Sequence, residues 1–206
     1  RIEVCAKQKP WVDDPADAAK GATPPWSVVL IAGLILFAGF VGENSTEAWS
    51  ALHIERTIGA PAGEGSFGPA TLGLVMFAGR LAGQLVAARV GEARLILVSA
   101  VLGAIGALVI AVAPTKAAVL AGVAVVALGM AVIVPATNSI IGAMVSDTAR
   151  PTTISRAWMF GLLGFFVGPS MMGGIAELSS LRVSFAAVAL IVAMIVPAVL
   201  ALSRRW

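Results

Sequence analysis

Long apolar stretches separated by short polar connections dominate the chain after residue 25. Each of the six stretches is close to the ~20 apolar residues that a helix needs to cross a bilayer. Because lipid offers the backbone no hydrogen bonds, each stretch predicts a transmembrane helix. The predicted helices cover about residues 26–52, 67–88, 95–113, 117–145, 152–175 and 183–202. The predicted fold class is an all-α integral membrane protein, with a six-helix bundle over residues 26–206.

Polar side chains within these stretches recur with a period of three helices. The third and sixth stretches contain only Ser99 and Ser184 in their interiors. The other four carry polar clusters, which are Glu43, Asn44, Ser45, Thr46 and Glu47, then Arg80 and Gln84, then Thr137, Asn138 and Ser139, then Ser155, Arg156 and Ser170. The pattern predicts two three-helix repeats, with two helices of each repeat facing a polar interior and one facing lipid. Inverted three-helix repeats of this kind occur in secondary transporters.

The composition agrees with a membrane protein, since 59% of the residues are hydrophobic and 12% are charged. Soluble domains carry about 25% charged residues. The net charge of +3 comes from basic residues at the ends of the apolar stretches. We read these as topology signals and expect no nucleic-acid partner. With His53 and Cys5 as the single residues of their kinds, a His/Cys metal cluster is excluded. No catalytic motif is recognisable, so we predict no metal, no cofactor and no enzyme activity.

Lysine and arginine residues are divided unevenly between the two sides of the membrane. Six crossings put both termini, the second loop and the fourth loop on one side. That side carries Arg1, Lys7, Lys9, Lys20, Arg89, Arg94, Arg150, Arg204 and Arg205, whereas the other side carries Arg56, Lys116 and Arg182. The positive-inside rule therefore predicts that both termini are cytoplasmic, in a plasma or inner membrane. Residues 1–25 are polar and rich in charge, and are predicted to be a cytoplasmic linker.

Charged residues in the membrane interior are the first candidates for a functional site. A charge at the centre of a bilayer costs at least ~2.5–3.5 kcal/mol, so Glu43 and Arg80 need partners or water. From the rise of a helix, the two residues lie within roughly 10 Å of each other in depth. Glu43 is either a proton acceptor or substrate ligand, or a structural charge. Arg80 is either part of that site or an anchor that reaches the headgroups. Asn44 lies beside Glu43 and is a further candidate.

Three other polar or aromatic positions have two interpretations each. Asn138 is either a hydrogen-bonding group that lines a cavity or a bond between neighbouring helices. Trp49 and Trp158 lie near opposite membrane faces, where anchoring at the interface is the ordinary role. For Trp49, the alternative is stacking against a sugar-like solute. Glu47 is interpreted as an interfacial carboxylate. The helices are expected to kink at their internal prolines, which are Pro135, Pro169 and Pro197.

The run Gly79–Arg94 resembles a signature of the major facilitator superfamily, G-[DE]-x-x-x-D-R-x-G-R-R, which follows the second helix of each half. Gln84 and Ala88 stand at its two acidic positions, and Glu92 stands where a basic residue is usual. The charge relay attributed to this signature therefore lacks its acidic members here.

Three further runs resemble the same family in matching order, so that the resemblance covers about residues 26–205. Residues 43–52, Glu-Asn-Ser-Thr-Glu-Ala-Trp-Ser-Ala-Leu, resemble the seventh-helix pattern E-G-x-x-x-D-W-S-A-L of a fucose-permease-like branch. Residues 129–135 resemble the tenth-helix run G-x-x-x-x-x-P. Residues 164–177 resemble the eleventh-helix pattern G-F-x-x-G-P followed by G-x-x-A-E.

The resemblance implies that the six helices correspond to the seventh to twelfth helices of a twelve-helix transporter. An N-terminal six-helix half would be the missing partner, and the linker would end the central cytoplasmic loop. Members of the family work by alternating access, often driven by protons. The expected function is secondary active transport of a small polar solute, bound between the halves by candidates from Glu43, Asn44, Arg80 and Asn138. The alternative is a non-transporting membrane sensor or a truncated, inactive transporter fragment.

Overall fold

The computed structural model describes residues 25–203, apart from the side chains of residues 84 and 88. The predicted linker over residues 1–25 therefore lies outside the described residues, except for its last residue. Within the described part, eight α-helices form six candidate membrane spans. The helices are α1 (Trp26–Leu52), α2 (Phe67–Val90), α3 (Glu92–Val112), α4 (Lys116–Met130), α5 (Ile133–Met144), α6 (Arg150–Leu178), α7 (Leu181–Ala193) and α8 (Ile195–Ser203). The prediction of an all-α bundle with six spans is confirmed.

Two of the six spans are interrupted, and each interruption lies just before a proline. Proline has no N–H to donate, and its ring clashes with the carbonyl four residues earlier. Helix α4 ends at Met130, and the fourth span resumes as α5 with Pro135 in its first turn. Helices α7 and α8 are separated by Met194, with Pro197 in the first turn of α8. By contrast, α6 is one continuous helix through Pro169.

The structure differs from the predicted bounds mainly at the ends of the first three spans. The first span continues beyond α1 through one π-helical turn, His53–Thr57. Its last residues are polar and charged, so hydropathy gave no sign that the helix continued. Helices α2 and α3 are joined by Gly91 alone, whose φ of 84° is a conformation that favours glycine. The third span therefore begins at Glu92 rather than near residue 95.

The packing of the spans repeats itself when the first three spans are exchanged for the last three. The first span packs along the fifth, and the second packs against the fourth. The third span packs against the fourth, and the first packs against the sixth, while the third and sixth also contact each other. Exchanging first with fourth, second with fifth and third with sixth turns each of these contacts into another of the set. Three crossings reverse the direction of the chain, so the two repeats are inverted, as predicted.

Small residues bring α3 and α4 into direct backbone contact. A Cβ atom added at Gly129 would lie 2.6 Å from the Gly103 nitrogen and 2.6 Å from the Ser99 oxygen. A Cβ atom at Gly106 would lie 2.6 Å from the Val126 nitrogen. In a membrane, where helices gain no hydrophobic energy from leaving lipid, such close approach supplies much of the packing energy.

The core of the bundle lies around the first and fourth spans, which are the most buried of the six. The second and fifth spans are the least buried. Helix α2 exposes a stripe of large apolar side chains at helical spacing, formed by Leu74, Phe77, Leu81 and Leu85. Helix α6 also exposes apolar side chains along most of its length. Both faces are therefore suited to lipid or to another apolar protein surface.

Candidate functional site

Glu43 and Arg80 form an ion pair near the middle of the membrane spans. Arg80 Nη2 lies 3.5 Å from Glu43 Oε1, which joins α1 to α2. Because a helix rises 1.5 Å per residue, Glu43 lies about 20 Å from Thr57 and about 25 Å from Trp26, the two ends of the first span. The side chain of Arg80 is 53% exposed and that of Glu43 is 19% exposed. The two predicted site residues therefore meet at the surface of the bundle and outside its apolar core.

Glu47 lies one helical turn beyond Glu43, on the side of the membrane away from the termini, and it is exposed. It belongs to none of the ion pairs among the described residues. The first span continues to Thr57, about 15 Å further on. The whole span is therefore longer than the ~30 Å apolar layer of a bilayer, and the interpretation of Glu47 as an interfacial carboxylate stays a prediction. An exposed carboxylate in this part of the helix requires water or polar protein groups around it.

A groove lies between α1 and α6 on the side of the membrane away from the termini. Its volume is about 340 Å³, and it is lined by Asn44, Glu47, Ala48, Phe165 and Pro169. We call it the outer groove. Asn44 is 8% exposed, and its Nδ2 donates a hydrogen bond to the Phe40 carbonyl in the same helix, at 3.1 Å. The predicted candidates Asn44 and Glu43 are thus neighbours on α1, one facing this groove and one paired with Arg80.

Trp49 joins α1 to the wall of the outer groove. Its Nε1 donates a hydrogen bond to the Pro169 carbonyl at 3.0 Å, and its ring approaches Gly173. The ring is half-buried. Its indole N–H is satisfied by protein, so the contact holds α1 and α6 together at the groove and goes beyond anchoring at the interface.

Replacing Trp49 by Phe is expected to lower the free energy of unfolding of the full-length protein by about 1 kcal/mol. The substitution keeps an aromatic ring but removes one hydrogen bond, and it leaves the Pro169 carbonyl without that donor. Thermal unfolding in detergent measures the change. Trp26→Phe is the matched control, because no hydrogen bond of the exposed Trp26 indole is found among the described residues. Equal unfolding temperatures for the two variants would contradict the prediction.

Asn138 makes its polar contact with the fifth span and has none with Glu43 or Arg80. Its Oδ1 accepts a hydrogen bond from Trp158 Nε1 at 3.0 Å, which links α5 to α6. The Trp158 ring also packs edge-on against Phe40 of α1, with ring centroids 5.6 Å apart. Asn138 therefore bonds neighbouring helices, one of its two predicted roles. Trp158, expected to be a membrane anchor, is its partner.

A second groove lies on the side of the membrane that holds the termini, between α2, α3 and α5. Its volume is about 230 Å³, and Arg80 lies at the end of the groove nearest the middle of the membrane. We call it the inner groove. Ala87, Glu92 and Ser139 lie further toward the terminal side of its lining. Ser139 Oγ donates a hydrogen bond to Glu92 Oε1 at 2.7 Å. This contact was not predicted, although Ser139 belongs to the polar cluster of the fourth span.

Two other unpredicted polar contacts hold the end of α3. Arg182 Nη1 donates a hydrogen bond to the Ala111 carbonyl at 3.1 Å, and His53 Nε2 lies 3.2 Å from the Ile110 oxygen. Both groups therefore satisfy carbonyls of the last helical turn. His53 is fully buried and packs edge-on against Phe185. Among the described residues, no group of three or more His, Cys, Asp or Glu is arranged to hold a metal ion.

Six spans in two inverted repeats, with a charged pair near the middle of the spans, are an arrangement that occurs in secondary transporters. The sequence model of the Major Facilitator Superfamily matches residues 29–205. The chain belongs to this superfamily, a family of transport proteins rather than enzymes.

Curated relatives agree with this assignment. The chain is 35% identical over 151 residues to the membrane protein MosC of Rhizobium meliloti, an alignment that covers 72% of this chain and 36% of that protein. It is 28% identical over 182 residues to a protein of Yersinia pestis named as an uncharacterized MFS-type transporter, covering 87% of this chain and 47% of that protein. The chain thus spans less than half the length of these relatives.

Solved structures show the same fold. The chain superimposes on a peptide transporter POT in complex with sulfate with a TM-score of 0.79 and 18% identity, covering 94% of this chain and 42% of the other. It also resembles a bacterial homolog of the human lysosomal transporter Spinster, with a TM-score of 0.64 and 17% identity, covering 88% of this chain and 49% of the other. At these identities the likeness concerns the fold alone.

Proposed function

We propose that this chain is the C-terminal six-span half of a secondary active transporter that carries a small polar solute across the cytoplasmic membrane. Transport proceeds by alternating access and is coupled to protons. The chain covers 36–47% of two curated relatives, which supports its assignment as one half. The excess of Lys and Arg on one side supports cytoplasmic termini. The resemblance of residues 43–52 to the seventh-helix pattern supports the fucose-permease-like branch.

The observation that carries this proposal is the pair of Glu43 and Arg80 at mid-membrane on the surface of the bundle. An ion pair exposed to hydrocarbon at that depth is strongly unfavourable. The surface that bears the pair and the exposed Glu47 must therefore face water or another protein. A second six-helix half, with a water-filled path between the halves, satisfies this requirement. The solute then binds near the middle of the membrane, with Glu43, Asn44 and Arg80 at the centre and Trp49 beside it, whereas Asn138 supports the site by bonding α5 to α6.

The positions of the two grooves support alternating access. The outer groove begins at Asn44, next to Glu43, and the inner groove begins at Arg80. The ion pair links α1, which lines the outer groove, to α2, which lines the inner groove. Protonation of Glu43 would remove its negative charge and weaken its attraction for Arg80. A proton at this carboxylate therefore changes a contact between helices that line the two grooves, which is what coupling requires.

The test uses one engineered cysteine in each groove of the full-length protein, with native cysteines replaced, including Cys5. Ala48→Cys reports on the outer groove and Ala87→Cys on the inner groove. We expect that imposing a pH gradient on proteoliposomes raises labelling by a membrane-impermeant maleimide at one position and lowers it at the other, each several-fold. Labelling that ignores the gradient, or that changes in the same direction at both positions, would favour a non-transporting membrane protein.

A further inference from the structure

The outer groove presents hydrogen-bond acceptors and an aromatic face, but no cation from the residues that line it. The Glu47 carboxylate is exposed in the groove and has no ion-pair partner among the described residues. The negative charge of Glu43 is matched by Arg80, whereas that of Glu47 is not. The groove therefore carries one negative charge without an ion-pair partner among the described residues.

Asn44 adds a second acceptor to this groove. The residue is more than nine-tenths buried, and its Nδ2 is used by the Phe40 carbonyl. Among residues 25–203, no donor is found for its Oδ1, the acceptor atom of the same amide. The buried side-chain atoms without a partner in this part of the chain are Ser45 Oγ, Ser50 Oγ and His53 Nδ1, so Asn44 Oδ1 is accessible to a ligand or water in the groove. A ligand that forms hydrogen bonds with both Asn44 Oδ1 and the Glu47 carboxylate must have N–H or O–H donors.

Phe165 lines the opposite wall of the groove and is 46% exposed. The face of an aromatic ring carries partial negative charge and attracts organic cations. Pro169 and Ala48 complete the lining with apolar surface. Carboxylate, amide oxygen and ring face all favour a positively charged group, and the apolar remainder suits a carbon skeleton. The volume of about 340 Å³ matches the lower end of small-molecule sites.

We propose that the outer groove is the subsite for the ammonium group of a small organic amine, with Glu47 as its counter-ion. This inference rests on the proposed transport function and names the class of solute. The ammonium group donates to the Glu47 carboxylate and to Asn44 Oδ1, and lies against the Phe165 ring. The competing role for Glu47 is an ion pair with a basic residue of the N-terminal half, which the experiment distinguishes from solute binding.

The experiment measures thermal unfolding of the purified full-length protein in detergent with matched pairs of solutes. The amines are ethanolamine and glucosamine, and their uncharged counterparts are ethylene glycol and glucose. We expect at least one amine to raise the unfolding temperature in a saturable way, because a ligand that binds only the folded state stabilises it. The uncharged counterparts are expected to have no such effect. Absence of a shift with both amines, or equal shifts with the uncharged solutes, overturns the assignment.

Two variants then test the residues. Glu47→Gln is expected to weaken binding of that amine at least about tenfold, because it removes a charge-assisted hydrogen bond, without changing the unfolding temperature of the unliganded protein. Phe165→Leu is expected to weaken it less. Full amine binding by Glu47→Gln overturns the assignment. So does a Glu47→Gln protein that no longer folds, since that result supports an ion pair between halves. The cysteine-labelling experiment on Ala48→Cys and Ala87→Cys does not depend on amine binding. It therefore tests the transport proposal separately.

Discussion

Replacing Glu43 by Gln is expected to abolish solute accumulation driven by a pH gradient, while membrane insertion is preserved. Glutamine has nearly the same shape and can still accept a hydrogen bond from Arg80, but it cannot take up or release a proton. The fold loses one side of an ion pair that is open to its surroundings, which costs far less than breaking a buried pair. The measurement is uptake into proteoliposomes by the full-length protein, with each labelled solute that the unmodified protein accumulates from a panel of sugars, polyols and amines.

Exchange without a gradient separates the two parts of this prediction. If Glu43 carries the proton, the Gln variant still exchanges internal for external solute but no longer accumulates it. If Glu43 also binds the solute, exchange is lost as well. Glu177→Gln is the matched control, because Glu177 is exposed at the end of α6 and belongs to none of the described ion pairs. Unchanged gradient-driven uptake by the Glu43 variant would rule out both roles.

Replacing Gly129 by Ala is expected to destabilise the folded protein by about 1–3 kcal/mol, the usual cost of overpacking a well-packed interior. The added methyl group would lie 2.6–2.8 Å from backbone atoms of Ser99 and Gly103, which cannot move aside as the end of a side chain can. Helices α3 and α4 would have to separate along their contact. Thermal unfolding in detergent and the yield of folded full-length protein report the loss.

The control for this prediction is Gly73→Ala in α2. A Cβ atom at Gly73 meets nothing within 4 Å, and alanine stabilises a helix interior by about 0.8–1.0 kcal/mol relative to glycine. The same chemical change is therefore expected to leave the unfolding temperature unchanged or to raise it. If both variants unfold at the temperature of the unmodified protein, α3 and α4 are not in backbone contact in the folded protein.

The number of spans was predictable because the lipid bilayer restricts the chain to long apolar helices. In hydrocarbon, backbone groups must be paired within the helix, and length together with hydropathy then fixes where helices lie. The same reasoning fails where a helix leaves the apolar layer. The turn His53–Thr57 extends the first span through residues that hydropathy assigns to a loop. Interruption of helices by proline was predictable at Pro135 and Pro197, whereas α6 continues through Pro169 with neighbours packed along it.

The candidate site was predictable in its composition but not in its contacts. The cost of charge in lipid singled out Glu43 and Arg80, and depth alone brought them close; their direct contact depends on how α1 and α2 are rotated. The same limit applies to tryptophan. Depth suggested that Trp49 and Trp158 face lipid headgroups, but helix rotation turns them toward the Pro169 carbonyl and Asn138. The acceptors of the outer groove come from α1 alone, and the ring that faces them comes from α6. Only the tertiary structure assembles them.

The symmetric contacts between the two three-span repeats have a consequence for biosynthesis. The most extensive contacts, first with fifth, third with fourth, third with sixth and first with sixth, all join one repeat to the other. Three helices that have just left the ribosome therefore have few of their final neighbours. The first three spans must therefore remain in the bilayer, or in contact with an insertase, until the fifth span is inserted and can pack against the first. Although the repeat is the unit of symmetry, most of its contacts are with the other repeat, so three spans alone are not expected to reach a stable fold.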